Sequence, residues 1–472
     1  MRRVCRSLLI STATVILASC TMGPDYKRPE VPVPDTFRSS TANGESIANL
    51  EWWELFDDAD LVDLIEMALA NNRELAIATA RIEEARASLG FVRADQFPNL
   101  GGSAGASRGN QIPGIGVPGG VNDSFVLAAD LSFEVDLWGK LRRSTEAARA
   151  ELLSTVEARN VVTITLIADV ASIYLLLLDL DDRVEIAERT RQTREDALRL
   201  IEARFDRGTV PLIDVNQAQI ELADAIAEKA ALERQRGLAE NSLSVLLGRN
   251  PGPIQRSLDN PVSALKIPAI PAGLPSELLE RRPDIRQASQ ELAAQTARIG
   301  VAEALRFPSL SLTGSLGLAS DDLNGFISSD NKVWGISANL LGPLFDAGRN
   351  RSRVEAERAR TEQLLGTYQL TVLRSFQEVD DALIEISTYR QEAEAREAQV
   401  RAASSAAMLS RARYDGGVTS YLEVLESERS LFRAELLASS TRRAQVVSIV
   451  GLYKALGGGW VNDASEAEPD TP

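Results

Sequence analysis

The sequence predicts a mainly α-helical chain with an inserted membrane β-barrel portion, built from long helical hairpins and four strands per chain. Three observations carry this. The chain is an internal duplication, each half holds a helix-forming run of unusual length, and each half places two alternating strand segments ahead of that run.

The duplication is legible in short matches. Phe97-Pro98-Asn99-Leu100 returns 210 residues later as Phe307-Pro308-Ser309-Leu310. Arg204-Phe205-Asp206-Arg207-Gly208 returns after 209 as Arg413-Tyr414-Asp415-Gly416-Gly417, and Leu247-Gly248 after 209 as Leu456-Gly457. Matches in one order at one offset place a first structural repeat at 59–250 and a second at 275–460. Between them, 251–274 is a proline-rich linker (Pro251, Pro253, Pro261, Pro268, Pro271) expected to run extended.

Both repeats follow one plan. A helical stretch comes first, Ala59 to Asp95 and Pro275 to Arg306. Strand hairpins follow at 97–137 and 307–343. In the first, Phe125, Leu127, Ala129, Leu131, Phe133 and Val135 alternate with Val126, Ala128, Asp130, Ser132 and Glu134. In the second, Leu310, Leu312, Leu316 and Leu318 face away from Ser309, Ser311, Thr313 and Ser315, and Trp334, Ile336, Ala338 and Leu340 repeat the pattern. Asn99 to Arg108 is glycine-rich and carries the weakest strand pattern of the four. Period-2 segments of about ten residues with one apolar face suit a membrane-spanning barrel strand. A half-buried strand of a soluble sandwich is the competing reading. Against it stand the small number of strands, their insertion between long helices, and the charge-free loop from Gly109 to Gly120. Four strands cannot close a barrel, and an open sheet would expose unpaired backbone edges to lipid. Such a barrel must be shared between chains.

From Lys140 to Arg207 the chain has neither glycine nor proline, and Arg349 to Asp415 contains only Gly366. Unbroken helices of that length would extend roughly 100 Å and must pack along partners through apolar seams. Val161 to Leu178 resembles a membrane span in composition, but it holds Asp169, Thr163 and Thr165 and reads as a buried seam. Gly208 and Gly417 suit left-handed helix ends. Second helices follow at 212–247 and 421–456, with Pro211 close to the first helix start, where a missing N–H costs nothing.

The termini and composition narrow the chemistry. Arg2, Arg3 and Arg6 precede an uncharged apolar run from Leu8 to Ala18, too short to cross a bilayer, so 1–19 reads as an export signal. Leu17-Ala18-Ser19-Cys20 resembles a lipoprotein cleavage box, with Cys20 the lipidated residue and 20–58 a lipid-anchored extended segment. The acidic end, 461–472, is expected to be disordered. A net charge of -16 argues against nucleic acid as a partner. Histidine is absent and the two cysteines are Cys5 and Cys20, which rules out His-based catalysis, His-containing zinc sites and a disulfide framework. Gly457-Gly458-Gly459 ends a helix instead of starting one, so it is no phosphate loop. Neither an enzyme nor a cofactor is expected.

Cys20-Thr21-Met22-Gly23-Pro24-Asp25-Tyr26-Lys27-Arg28-Pro29 resembles the mature start of lipoprotein efflux factors. Trp52-Trp53-Glu54-Leu55-Phe56-Asp57-Asp58 resembles their next signature, and Phe205-x-x-Gly208 and Tyr414-x-x-Gly417 match their paired tips. The chain thus resembles the TolC-like outer-membrane factors, in the NodT/OprM lipoprotein branch. The resemblance implies a homotrimer in outer-membrane lipid, a shared 12-stranded barrel, and a helical barrel in the periplasm. It further implies passive export of small toxic compounds or drugs with a periplasmic adaptor and an inner-membrane transporter of the RND type. Protein secretion through the same duct is the alternative. A non-conducting lipoprotein with a coiled-coil body is a third reading, against which the strands argue.

Site residues follow from the same resemblance. Arg204, Phe205, Gly208, Arg413, Tyr414 and Gly417 would be the tips where the adaptor docks. Glu423, Glu426 and Asp214 would line the periplasmic gate. Glu423 and Glu426 lie three apart on one helix face, and Asp214 is the first-repeat counterpart of Glu423. The chain has glutamate where aspartate is common, and Thr419 where some relatives have an arginine tie. A merely solvated acidic face is the bland alternative.

Overall fold

The computed structural model describes residues 21–37, 53, 56–111, 118–257, 265 and 275–458. The export signal, Cys20, the linker beyond Ser257 apart from Leu265, and the acidic tail lie outside the described residues. In chain order the elements are α1 (Ala59–Asn71), α2 (Arg73–Ala94), β1 (Asn99–Gln111), β2 (Pro118–Val135), α3 (Lys140–Asp206) and α4 (Leu212–Leu246). The second repeat supplies α5 (Pro275–Arg281), α6 (Pro283–Ala304), β3 (Ser309–Ser320), β4 (Lys332–Leu341), α7 (Arg349–Asp415) and α8 (Tyr421–Ala455).

The helical stretch opening each repeat is two helices, not one. The first breaks at Asn72, whose backbone is extended and whose Oδ1 accepts from Leu75 N at 3.0 Å, capping α2. The second breaks at Arg282, because Pro283 disfavours a helical residue before it and fits the first helical position after it. Both break residues do a second job. Asn72 Nδ2 donates to Leu246 O at 2.9 Å, and Arg282 Nη1 donates to Ala455 O at 2.8 Å. Each satisfies a carbonyl left over at the end of the matching helix, α4 or α8.

The four strands form one antiparallel sheet in the order β1-β2-β3-β4. The glycine-rich segment is a full strand, because its backbone pairs with β2 from Asn99↔Ser132 to Asn122↔Gly109. Register separates the faces. One row joins Leu100, Leu131, Gly314 and Ile336, and its neighbour joins Asn99, Ser132, Thr313 and Ser337. The polar face is internally bonded: Thr313 and Ser337 hydroxyls meet at 2.6 Å, and Ser103 Oγ donates to Asp130 at 3.0 Å. The apolar face is bare, with Leu316, Trp334, Ile336 and Leu340 exposed. Within the described chain β1 and β4 are edges.

The described residues fall into two compact units. The first contains the sheet, drawing on Ala80–Glu157 and Gln287–Leu370 with the segment before Val31. The second draws on Val31–Thr79, Ala158–Arg286 and Thr371–Pro472. Its core gathers Phe56, Leu61 and Ile65 with Val170, Tyr174, Leu177 and Leu180 of α3, and with Leu243, Ile449 and Tyr453. Val161 to Leu178 is therefore used as a packing seam. Asp58 ties the start of α1 into this core: it accepts from Leu61 N at 3.1 Å and from the buried Tyr174 hydroxyl at 2.8 Å. Burial and the adjoining carboxylate push the Tyr174 phenol up from its ordinary pKa.

Candidate functional site

The two tips are helix ends of one design. Gly208 and Gly417 have φ of 71° and 72°, a conformation that side chains with a Cβ rarely adopt. Thr209 N donates to Arg204 O at 3.0 Å and Gly208 N to Phe205 O at 2.7 Å. Val418 N to Arg413 O and Gly417 N to Tyr414 O, both 2.9 Å, repeat the pair. This is the Schellman closure, which satisfies carbonyls the helix cannot.

Side chains then join the tips within one chain. Arg204 Nη2 lies 3.2 Å from Asp415 Oδ1, and its guanidinium sits 5.0 Å over the Tyr414 ring. Tyr414 packs against Tyr421 at 5.4 Å between ring centroids. Beneath them Ile201, Val215, Ala218, Val424 and Leu425 form a small buried cluster. Burial raises the Tyr421 phenol to about 12. Phe205 is exposed.

The three acids expected at a gate are placed differently. Glu423 accepts from the Thr419 hydroxyl and lies 3.4 Å from Arg413 Nη1, so the tip arginine supplies the cationic tie and Thr419 a neutral one. Glu426 is exposed and adds a lesser charge effect to Arg429, whose pKa is raised first by its bond to Glu221. Asp214 is half-buried, and burial raises its pKa. No hydrogen bond or ion pair joins Asp214 to either glutamate among the described residues.

A buried charge cluster close by was not read from the sequence. Glu221 of α4, side chain 4% exposed, lies 3.1 Å from Arg194 Nη2 of α3 and is bonded by Arg429 of α8. Arg194 also donates to the Glu221 carbonyl at 2.7 Å and lies 5.2 Å over the Phe432 ring. Three helices from two repeats thus meet on one carboxylate. The cluster borders an open cavity of about 640 Å³, with Arg183 and Asp224 also on its wall. The sequence signal was faint: Glu221 lies two helical turns beyond Asp214, a spacing that repeats a face.

In the sheet-bearing unit, the chain beginning at Thr21 is clasped against the start of α3. Met22 N donates to Trp138 O at 3.1 Å. Arg143, side chain 4% exposed, donates to Met22 O at 3.1 Å and Gly23 O at 3.2 Å, and pairs with Asp25 and Glu146, each at 2.7 Å. Gly139 and Gly300 leave room for this segment. A Cβ at Gly139 would meet Thr21 at 2.8 Å, and one at Gly300 would meet Met22 O at 2.5 Å. The residue following Cys20 is therefore held where β2 passes into α3.

Comparison with known proteins agrees with this architecture. The family profile described as outer membrane efflux protein matches residues 64–249 and 274–458. The chain is 35% identical over 458 residues to outer membrane protein OprJ of Pseudomonas aeruginosa, covering 94% of each. It is likewise 35% identical to the toluene efflux pump outer membrane protein TtgI of Pseudomonas putida, covering 95% of this chain and 97% of the relative. The open-state crystal structure of the Neisseria gonorrhoeae MtrE outer membrane channel superposes with a TM-score of 0.84 at 33% identity, covering 93% of this chain and 98% of that one.

Proposed function

The chain belongs to the outer membrane efflux protein family, and from that premise we propose how its parts serve as the outer-membrane channel of an efflux pump. The sheet carries the reading. An exposed apolar face of Leu, Ile and Trp backed by a bonded polar face is what a barrel wall between lipid and water requires. Its two edges call for pairing with other copies, and three chains give a closed barrel of twelve strands. The long helices then form a periplasmic conduit, and the tips meet an adaptor coupled to an inner-membrane transporter of the RND type. Transport is passive through this chain. The family profile and TtgI are named for efflux and not for protein secretion, which supports small toxic compounds as the cargo class.

Cys20 is the lipid anchor in this reading. The clasp on Thr21 to Asp25 supports it, because it fixes the adjacent residue at the strand-to-helix junction, level with the expected membrane boundary. Replacing Cys20 with serine is expected to abolish incorporation of labelled palmitate while leaving channel conductance in bilayers. Label persisting on Cys20→Ser would remove the assignment.

Glu423 and Glu426 make the gate. Three copies would bring six carboxylates to the pore, attracting cations and divalent blockers in a salt-dependent way. Converting both to glutamine is expected to lower cation over anion permeability and relieve divalent block in single-channel recordings, with the fold unchanged by circular dichroism. Absence of channels from wild-type protein would overturn the conduction reading itself. Unchanged selectivity in the double variant would place both residues off the pore.

A further inference from the structure

The long helices α3 and α7 begin at equivalent points of the two repeats, and both begin with basic residues. At the start of α3 Lys140, Arg142 and Arg143 are each engaged. Lys140 pairs with Glu134 at 2.5 Å, Arg142 with Asp136 at 3.3 Å, and Arg143 with Asp25, Glu146 and the carbonyls of the segment from Thr21. In the second repeat Arg349, Arg351 and Arg353 are all exposed. Arg351 has only Glu355 on its own helix, with the two side chains 81% and 60% exposed. Arg353 donates to the neutral amide oxygen of Asn350 at 3.2 Å. The nearby Asp346 carboxylate is bonded by backbone N–H groups of Gly348 and Asn350 at 3.0 and 3.1 Å, and the Arg349 charge acts on it only through space.

The covering segment differs too. Where a Cβ on Gly139 would strike Thr21, one on its counterpart Gly348 would meet nothing within 4 Å. Immediately before this turn Leu344 and Phe345 are 105% and 90% exposed, and they continue from Leu341 at the end of β4. Three arginines with little local compensation therefore adjoin two fully exposed apolar side chains, where the sheet gives way to helix. The chain as a whole is acidic, so the patch does not follow from composition. Aromatic and apolar anchors beside arginines are the arrangement that seats a protein among anionic headgroups.

We infer that Arg349, Arg351 and Arg353, with Leu344 and Phe345 inserted among acyl chains, form a binding surface for anionic phospholipid headgroups of the periplasmic leaflet. The inference rests on the strands spanning the outer membrane. It gives the two repeats complementary roles: the first holds the segment that follows the covalent anchor, and the second holds free lipid.

The test compares full-length wild type with R349Q/R351Q/R353Q and with the charge-preserving triple lysine variant. Each is purified from membranes, equilibrated with equal phosphatidylglycerol and phosphatidylethanolamine, and the lipid retained per chain is counted by mass spectrometry. Wild type and the lysine variant are expected to prefer phosphatidylglycerol. The glutamine variant is expected to lose that preference, by about fivefold for each arginine removed, with trimer mass and conductance unchanged. Equal retention of both lipids by wild type would overturn the inference, as would an undiminished preference in the glutamine variant. Complete displacement by millimolar inorganic phosphate would also overturn it, since the ligand would then be the free anion. Loss of the trimer in the glutamine variant would overturn it in favour of a subunit contact. Lack of conductance in wild type would count against the efflux reading and not against the lipid count.

Discussion

Glu221→Ala is expected to destabilise the chain by about 3–5 kcal/mol, the usual cost of stranding a buried charge by removing its partner. Among the described residues Glu221 is the acid in direct ion-pair contact with Arg194, which is 5% exposed and lies between Glu221 and Phe432. Without it the guanidinium keeps its carbonyl bond and ring contact but loses its contacting carboxylate, and Glu428 acts on it only through space. Arg429→Ala should cost far less, on the order of 1 kcal/mol or below, because the Arg429 side chain is 46% exposed and water can replace it. Thermal unfolding of the detergent-solubilised protein, followed by circular dichroism, reads both. Equal small losses in the two variants would mean that α3, α4 and α8 do not converge on this carboxylate. The same contact bears on function, since it joins helices of both repeats close to the proposed gate. Weakening it should also raise conductance if the tips must part for cargo to pass.

Gly300→Ala and Gly90→Ala should move stability in opposite directions, although the two glycines occupy the same position in the two repeats. At Gly300 a Cβ would lie 2.5 Å from Met22 O and 2.9 Å from Arg143 Cγ. Arg143 cannot yield without breaking its bonds to Asp25, Glu146 and two carbonyls. Overpacking of about 1–3 kcal/mol is expected, together with release of the Thr21–Asp25 segment to protease. At Gly90 a Cβ meets nothing within 4 Å. There alanine should stabilise α2 by about 0.5–1 kcal/mol, the ordinary helix preference. Protease resistance of the N-terminal segment in Gly300→Ala would remove the clasp, and a destabilised Gly90→Ala would reveal a packing partner for that face.

Local chemistry made much of this protein legible. Helix lengths followed from the absence of glycine and proline over α3 and α7, and their ends from Gly208 and Gly417. Strand faces followed from alternation, because a period of two assigns each residue of β2, β3 and β4 to one side whatever lies opposite. The duplication told which segments must share a fold. The break at Arg282 was also present in the sequence, as Pro283 disfavours a helical residue before it. Its partner at Asn72 has no proline and depends on the side chain capping α2 while bonding Leu246 O.

The sequence by itself determined the long helices and their approximate ends, the strand order, the two faces of the sheet and the family. Each of these depends on neighbours along the chain, where spacing and steric preference act directly. Tertiary structure alone decided which charges are buried. Glu221, Glu423 and Glu426 are alike as letters, yet one is enclosed by arginines from two other helices, one is tied to its own tip by Arg413 and Thr419, and one is exposed. It also decided that equivalent glycines differ, Gly300 being covered by Met22 and Gly90 uncovered, because the segment that does the covering occurs once in a chain where the helices occur twice.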